Sequence, residues 1–367
     1  MNQISAVQAY VNGIFEAMED PQERRAAHIH LFSVAQHCAL LAAKRGLDAE
    51  LATAIGLLHD VYSYRTGVLN DLHGPNGAEM VRVAFKRELS GVFTEEEQIL
   101  IRSALYHHSD KAHVHDAYDE VLKDADLMNH WLYDVSAFRW KSDRLLNLVN
   151  ELGLPTPELI GMPPSRQPAF DAGRLADIAE ALAAKNVVGD WQDADFLRII
   201  RYFPEASAFD ELKNAWCAAF VYHSCLEAGL TLPIRTVHTA GKVARCRLAC
   251  VAAWYEWGIE NGFFYAEGKG FQPRRGDIVI YHNVIPPEDK PAGGAPWDHI
   301  GILLGFDGDG LTVAEGNVGN HNVSGIVPRR RDGTIGGYIR IPAQYRYEGW
   351  KTDFKTGEIR SEEVQLR

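Results

Sequence analysis

The stretch Ala54-Ile55-Gly56-Leu57-Leu58-His59-Asp60 decides the fold of the N-terminal half of this 367-residue chain. Its first five residues are small or apolar, and they run directly into a histidine and an aspartate. Together with Leu51, the apolar residues recur at the spacing of one helix face. The stretch therefore predicts a buried helix that delivers two polar side chains, adjacent in the chain, to the point where the helix stops.

The residues around this stretch follow helical patterns from the N-terminus to about residue 150. Thr94-Glu95-Glu96-Glu97 is a capping box, in which the side chains satisfy backbone N–H groups at a helix start. His30 begins a stripe with Val34, Cys38 and Leu41, which aims its ring at the core side of its helix. We therefore predict an all-α domain over residues 1–150.

Ten of the fifteen histidines lie within the first 130 residues, and this bias indicates a local function. His30, His59-Asp60 and Asp126 would come from three different helices. Neutral imidazoles combined with carboxylates suit Mn, Fe, Zn, Ni or Co, and such a mixed site leaves room for a water molecule on the metal. The sequence predicts a divalent transition metal here. His37, on the same helix face as His30, is the alternative ligand.

The order H…HD…D resembles the HD-domain superfamily of metal-dependent phosphohydrolases over roughly residues 20 to 140. In some binuclear branches of that family, an H-x-x-x-G motif and an HH pair add ligands. His73-Gly74-Pro75-Asn76-Gly77 and His107-His108 match both motifs. The resemblance therefore implies one or two metal ions in this domain.

The resemblance also implies particular roles for residues of this chain. A first metal would be held by His30, His59, Asp60 and Asp126, and a second would add His73, His107 and His108. The expected reaction is hydrolysis of a phosphoester or nucleotide. Basic residues near these motifs would hold the phosphate, and the candidates are Arg25, Arg65 and Lys111.

The pattern changes after a proline-rich stretch, residues 151–169, which we interpret as a linker. Helical segments at 174–184 and 215–228 are followed by short apolar runs bounded by glycine, at 277–281, 299–304, 311–314 and 337–341. Helices followed by strands predict an α+β domain with a mostly antiparallel sheet over residues 170–346. A charged tail, residues 347–367, follows as a solvated extension.

Cys217 opens the apolar helix Trp216-Cys217-Ala218-Ala219-Phe220-Val221, and a helix N-terminus favours a thiolate. His299 begins a later strand. Neighbouring antiparallel strands joined by Asp307-Gly308-Asp309-Gly310 would bring Glu315 close to His299, where a carboxylate can fix the imidazole tautomer. The alternative for Cys217 is an inert buried thiol, the usual state of a cysteine in an apolar helix.

Five blocks of the second half occur in the order found in another family. They are Trp216 to Val221, Gly276-Asp277-Ile278-Val279, His299-Ile300-Gly301-Ile302, Glu315-Gly316-Asn317 and Gly337-Tyr338-Ile339-Arg340. This half resembles CHAP domains, the cysteine- and histidine-dependent amidohydrolases and peptidases of the papain-like group, over about residues 170 to 345.

That resemblance implies a papain-like α+β fold and a cysteine amidase or peptidase that forms a thioester acyl-enzyme. Cys217 would be the nucleophile, His299 the general base and then acid, Glu315 the orienting group and Asn317 an auxiliary polar residue. The amide would be a peptide or a peptidoglycan-type bond. The loop from Val284 to Trp297, rich in proline and glycine, would act as a lid or specificity loop.

Charge and hydropathy argue against two classes of binding partner. The chain carries 37 basic and 49 acidic residues, a formal charge of −12, without a strongly basic run, which argues against nucleic acid as a partner. We find no uninterrupted apolar run of about 18 residues and no N-terminal export pattern, so we expect no membrane partner. Five cysteines fit a reducing compartment. A cytoplasmic location follows, and action outside the cell would need non-classical export.

Three functions remain open from the sequence. The first is a bifunctional hydrolase with a metal-dependent phosphohydrolase half and a cysteine amidase half. In the second, the HD half is a ligand- or metal-dependent switch that regulates a cytosolic CHAP amidase. The third is a non-catalytic interaction protein.

Overall fold

The computed structural model describes residues 2–133, 142–156, 169–205, 207–236, 246–268, 270–282, 284, 297–353 and 356. The chain divides into two compact units. Unit 1 comprises Met1–Arg166 together with Glu348–Arg367, and unit 2 comprises Gln167–Tyr347. Unit 2 is therefore an insertion between the two parts of the chain that build unit 1.

The described part of unit 1 contains eight α-helices. They are α1 (Gln3–Glu16), α2 (Pro21–Lys44), α3 (Ala49–Leu58), α4 (Val61–Thr66), α5 (His73–Ala84), α6 (Glu95–His107), α7 (Ala117–Tyr133) and α8 (Asp143–Leu152). The predicted all-α character is thus confirmed. The capping box is also present, because the side chains of Thr94 and Glu97 each accept a hydrogen bond from the backbone N–H of the other residue.

Helices α2 and α3 form the centre of unit 1, and Gly56 lets them approach closely. A Cβ atom added at Gly56 would lie 2.6 Å from the Cα of Ala35 on α2, far inside van der Waals contact. Within the described residues, α2 is the one helix long and apolar enough to cross a membrane. Core helices pass the same test, and seven residues of α2, among them Leu31, Val34 and Leu41, are buried in unit 1.

Unit 2 places its helices before its strands. The described helices are α9 (Ala172–Ala183), α10 (Ala194–Ile200), α11 (Ala208–Leu212), α12 (Cys217–Glu227) and α13 (Val251–Glu260). The described strands are β1 (Phe264–Ala266), β2 (Ile278–His282), β3 (Trp297–Asp307), β4 (Gly310–Glu315), β5 (Gly325–Arg330) and β6 (Ile335–Ile339).

The six described strands form one sheet in the order β1-β6-β2-β3-β4-β5. Every neighbouring pair is antiparallel, which confirms the predicted type of sheet. Strands β3 and β4 form a hairpin in which Asp307 pairs with Gly310 and Ile302 pairs with Ala314. This register places the start of β3 beside the end of β4, where His299 and Glu315 lie.

One predicted boundary differs from the structure. Helix α8 continues through Leu152, into the predicted linker 151–169, and ends where Gly153 adopts a left-handed conformation with φ 66°. Residues 157–168 of that linker, and residues 285–296 of the predicted lid loop, lie outside the described residues.

The predicted solvated tail, residues 347–367, needs correction at its start. Thr352 is buried, and its backbone oxygen lies 3.1 Å from Nε2 of His107 on α6. The backbone oxygen of Trp350 lies 2.8 Å from Nε2 of His115. The described residues 348–353 therefore pack against the helices of unit 1. Their backbone carbonyls serve as hydrogen-bond acceptors for two buried imidazoles, which need such partners. We call these residues the C-terminal strap; residues 357–367 lie outside the description.

Candidate functional sites

Four predicted metal ligands meet in unit 1. The Nε2 atoms of His30 and His59 lie 3.1 Å apart. Oδ2 of Asp60 lies 3.5 Å from Nε2 of His30 and 3.4 Å from Nε2 of His59. Oδ1 of Asp126 lies 3.7 Å and 3.9 Å from the same two nitrogens. The four side chains thus point at a common centre. His30 comes from α2, His59 and Asp60 from the junction of α3 and α4, and Asp126 from α7.

A second group shares the carboxylate of Asp60. Oδ1 of Asp60 lies 3.4 Å from Nε2 of His73 and 3.3 Å from Nε2 of His108. The Nε2 atoms of His73 and His108 are 2.9 Å apart. His73 begins α5, and His108 caps the C-terminal end of α6. Asp60 therefore presents one oxygen to each of two adjacent groups of imidazoles.

Backbone carbonyls fix the orientation of three of these rings. Nδ1 of His59 lies 2.8 Å from the oxygen of Gly56, and Nδ1 of His108 lies 2.7 Å from the oxygen of Leu105. Nδ1 of His73 is 2.6 Å from the oxygen of Asn70. A carbonyl only accepts hydrogen bonds, so each Nδ1 carries a proton, and in its neutral form each ring presents a lone pair at Nε2. This arrangement is typical of metal-binding histidines.

The residues of both groups fit a divalent metal. Oδ1 of Asp60 is buried and has no hydrogen-bond partner within the described residues, so this oxygen is available as a ligand. Ligand atoms about 2.1 Å from one ion lie roughly 3 to 4 Å from one another, which is the range of the separations observed here. In three sets of side chains, the potential ligand atoms all lie within 4.8 Å of one another: His30, His59 and Asp60; Asp60, His73 and His108; and His30, Asp126 and His130.

The electrostatics of the centre favour ionised carboxylates. Burial alone would raise the pKa of Asp60, but His59, His108 and His30 hold the pKa of this carboxyl well below its usual range. Burial likewise opposes ionisation of Asp126, while Lys111 and His130 lower the pKa of that carboxyl. Both carboxylates are therefore available as ligands near neutral pH.

His107 lies away from this centre, contrary to the predicted second-metal set. Its Nδ1 is 2.9 Å from Oδ2 of Asp119, and its Nε2 faces the strap at Thr352. Its ring stacks on that of His115 at a centroid distance of 3.8 Å. Consecutive residues of a helix point about 100° apart, so only one member of the His107-His108 pair can face Asp60.

Two residues of α7 join the centre although the sequence analysis did not assign them there. Nε2 of His130 is 3.3 Å from Oδ1 of Asp126. Nδ2 of Asn129 lies 3.0 Å from Nδ1 of His30, and the amide of Asn129 presents its oxygen to that nitrogen when rotated by 180°. Both residues follow Asp126 at helical i+3 and i+4 spacing, which is the signal that could have identified them.

The predicted phosphate-binding residues differ in their positions. Nζ of Lys111 donates a hydrogen bond to Oδ2 of Asp126 at 2.8 Å, so it lies at the centre. Arg25 and Arg65 are exposed and do not line the cavity of about 500 Å³ that opens beside His30 and Asp60. Only Lys111 is therefore placed at the ligands.

In unit 2, the predicted cysteine site is partly assembled. Nε2 of His299 lies 2.9 Å from Oε2 of Glu315, and both side chains are buried. Cys217 is the first residue of α12 and retains 7% of its surface. Glu315 uses Nε2 of His299, so Nδ1 is the nitrogen left for the thiol, and a hydrogen bond with Cys217 contributes to the high pKa of His299.

Arg329 is the component that sequence reasoning missed. Its Nε and Nη2 lie 2.9 Å and 2.5 Å from the two carboxylate oxygens of Glu315, and its guanidinium stacks over the ring of Tyr281. Arg329 comes from β5, and its approach to Glu315 depends on the pairing of β4 with β5. No local pattern in the sequence signals that contact.

The charged forms of His299, Glu315 and Arg329 stabilise one another. Burial would lower the pKa of His299, but Glu315 and Cys217 raise it to about 10. Burial would raise the pKa of Glu315, whereas His299 and Arg329 lower it to about 2. An imidazolium between a carboxylate and the thiol is the charge distribution that sustains a thiolate nucleophile.

Asn317 contacts the chain before the nucleophile and not His299. It adopts a left-handed conformation with φ 52°, and its Nδ2 donates to the backbone oxygen of Asn214 at 2.9 Å. Its Oδ1 accepts a hydrogen bond from the backbone N–H of Asn322 at 2.8 Å. The predicted auxiliary residue therefore holds the loop that precedes Cys217.

Unit 1 is a helical domain whose helix ends gather histidines and aspartates around a candidate metal centre. Residues 28–129 match the family model of the HD domain, so unit 1 contains an HD domain. This segment includes His30, His59, Asp60, His73, His108 and Asp126. No curated protein and no solved structure matches the chain. No match to the CHAP family was found, so that resemblance and the papain-like fold stay predictions for unit 2.

Proposed function

We propose that this chain is a hydrolase with two catalytic units. Unit 1 hydrolyses a phosphoester or nucleotide with the help of one or two divalent transition metals. Unit 2 hydrolyses an amide bond with Cys217 as nucleophile. The observation that carries the first function is the position of Asp60, whose two oxygens face His30 and His59 on one side and His73 and His108 on the other.

The side chains of unit 1 divide the work of phosphoester hydrolysis. Metal bound there would lower the pKa of a coordinated water and polarise a phosphoryl oxygen. His59, His73 and His108 keep their Nε2 lone pairs directed inward through their bonds to backbone carbonyls. Lys111, held on Asp126, supplies a positive charge for a phosphoryl oxygen. Mn, Fe, Zn, Ni and Co all accept this donor set.

Turnover of p-nitrophenyl phosphate and bis(p-nitrophenyl) phosphate with each of these metals tests the first function. We expect Asp60→Asn to abolish hydrolysis and Cys217→Ala to leave it unchanged. A protein that holds stoichiometric metal but hydrolyses neither these esters nor a nucleotide panel would favour a metal-dependent switch over a phosphohydrolase. Loss of phosphoester hydrolysis in Cys217→Ala would refute separate active sites.

A second function is favoured by the contact between His299 and Glu315 next to Cys217. The thiolate of Cys217 attacks the carbonyl carbon of the amide, and the backbone N–H at Cys217 helps stabilise the oxyanion. The C–N bond breaks as His299 protonates the departing amine. Water, deprotonated by His299, then hydrolyses the thioester and releases the acid. Glu315, held by Arg329, keeps the imidazole ring oriented throughout.

Peptides, polyamine conjugates and peptidoglycan fragments form the substrate panel for unit 2. Intact-protein mass spectrometry should show a covalent adduct at Cys217 that water discharges, and Cys217→Ala should form none. Cys225→Ala is the matched control, because Cys225 is buried on the same helix without a histidine partner assigned to it. Equal turnover by wild type and Cys217→Ala would contradict the assignment.

A further inference from the structure

The metal centre of unit 1 opens into one side of a cavity of about 500 Å³. His30, Asp60, Asn129 and His130 line its polar side, and its apolar lining comes from Met18, Ala26, Ala27, Ile29 and Leu69 with the rings of Tyr64 and Tyr133. A phosphoester bound at the centre would therefore project its organic group into this space.

The rim of the cavity exposes apolar surface to water. Leu69 and Tyr133 each keep 79% of their surface exposed, and Ile29 keeps 44%. All three line the same cavity. Exposed apolar side chains grouped around a concave site indicate a binding surface for an apolar ligand, whereas isolated ones carry no such meaning.

The charges of the cavity are unsuited to polyphosphates. Among the described lining residues there is no lysine or arginine, and Glu23 adds a carboxylate. Recognition of two or three adjacent phosphates normally uses several cations or backbone N–H groups. Within the described residues, Lys111 is the lysine that contacts a candidate ligand, Asp126, and one ammonium group matches a single phosphoryl group better than a polyphosphate.

The cavity also offers one hydrogen-bonding group without a partner. Ser63 lines it and is 5% exposed, and its hydroxyl has no hydrogen-bond partner within the described residues. A buried hydroxyl without a partner costs free energy that a ligand atom can restore. Ser63 therefore provides a point of orientation for one polar atom on an otherwise apolar group.

We propose that the substrate of unit 1 carries a single phosphate esterified to an apolar, preferably aromatic, group, and that nucleoside di- and triphosphates are poor substrates. This inference rests on the proposed phosphohydrolase function. Water forms the new P–O bond, the bond from phosphorus to the ester oxygen breaks, and the leaving oxygen takes a proton. The products are inorganic phosphate and an alcohol or phenol.

Binding of two non-hydrolysable probes tests the inference independently of turnover. Phenylphosphonate and methylphosphonate differ only in the apolar group, and their affinities for the Mn²⁺-loaded protein can be compared by titration calorimetry. Burial of the phenyl ring should make phenylphosphonate bind about tenfold more tightly. Leu69→Asp should remove most of this preference. Leu40→Asp is the matched control, because it makes the same substitution at an exposed leucine of α2 outside the cavity, and it should preserve the preference.

Turnover adds a second comparison. The kcat/KM for phenyl phosphate should exceed that for ATP, and Glu23→Lys should raise the ATP value several-fold. Equal affinity for the two phosphonates, or a preference for ATP, would overturn the inference even if hydrolysis is established. A clear preference for phenylphosphonate without turnover of any phosphoester would instead refute the proposed function and support an apolar ligand class for the cavity.

Discussion

Nε2 of His73 lies 2.9 Å from Nε2 of His108, and each ring directs its Nδ1 to a backbone carbonyl. Two neutral rings fixed in this way face each other with lone pairs, an arrangement that is repulsive unless a cation lies between them or one ring gains a second proton. Burial disfavours protonation of His108, whose pKa is lowered to about 4. We expect the proposed metal to relieve this repulsion by binding both nitrogens.

The close approach of α2 and α3 should control the metal centre. Gly56→Ala would place a Cβ 2.6 Å from the Cα of Ala35, so the helices that carry His30 and His59 must separate. We expect a loss of about 1 to 3 kcal/mol in the free energy of unfolding of unit 1. Metal affinity, measured by competition with a chelator, should fall with it.

Gly13→Ala supplies the matched control for that substitution. Gly13 lies within α1, and an added Cβ would meet no atom within 4 Å. Alanine at an open helical position should stabilise the protein by up to about 1 kcal/mol and leave metal affinity unchanged. Equal metal affinity in the two variants would disprove the link between helix approach and ligand geometry.

The thiol of Cys217 should be more reactive than that of Cys225 on the same helix. We expect iodoacetamide at pH 7 to alkylate it at least about tenfold faster than Cys225, because burial raises the pKa of the Cys225 thiol well above its usual value. Peptide mass spectrometry over a time course gives both rates. His299→Gln should slow the reaction at Cys217 without changing that at Cys225; equal rates at the two cysteines would support an inert Cys217.

The ion pair between His299 and Glu315 should stabilise unit 2 over a defined pH window. The folded pKa of His299 is about 10 against 6.5 for a free imidazole, so its contribution is complete below pH 6.5 and is lost as pH rises through 10. The folded pKa of Glu315 is about 2 against 4.5, so its contribution is present above pH 4.5 and is lost as pH falls through 2.

Titration of the His299 ring by NMR checks this window. The Cε1 resonance, assigned with His299→Gln, should remain that of an imidazolium past pH 8 in the wild type. Glu315→Gln should lower its midpoint. A wild-type midpoint near pH 6.5 would show that the Glu315 carboxylate does not raise the pKa of His299.

The C-terminal strap should stabilise α6 and the segment around His115. A chain ending at Tyr347 loses the carbonyl groups of Trp350 and Thr352 that lie next to His115 and His107. Two buried imidazoles lose acceptors, and each loss costs about 1 to 3 kcal/mol. Hydrogen exchange followed by mass spectrometry should show faster exchange in α6, whereas a chain ending at Thr356 should exchange like wild type.

The sequence predicted the elements better than the contacts between them. The apolar run before His59-Asp60 ends in a helix terminus because its periodicity and the positions of its polar residues are local properties. The choice between His107 and His108 depends on the rotation of α6 relative to α3 and α5, which no local pattern specifies. His130 and Asn129 share a helix face with Asp126, so helical spacing alone indicates that they lie near this carboxylate.

Contacts between residues far apart in the sequence cannot be predicted from local patterns for the same reason. Arg329 reaches Glu315 through the pairing of β4 with β5, and its own strand shows no special pattern. The strap returns to α6 across 245 residues of chain. The charge of residues 347–367 indicated solvation, but the strap packs through backbone carbonyls that every residue type carries.

Metal stoichiometry tests the central claim most directly. Inductively coupled plasma mass spectrometry of protein purified after loading with Mn²⁺ or Fe²⁺ should give about two ions per chain for the wild type. Asp60→Ala should lose most of this metal, because both groups of imidazoles share that carboxylate. His107→Ala, the control, should retain both ions. Full occupancy in Asp60→Ala, or loss of metal in His107→Ala with the fold intact, would contradict the assignment of the centre.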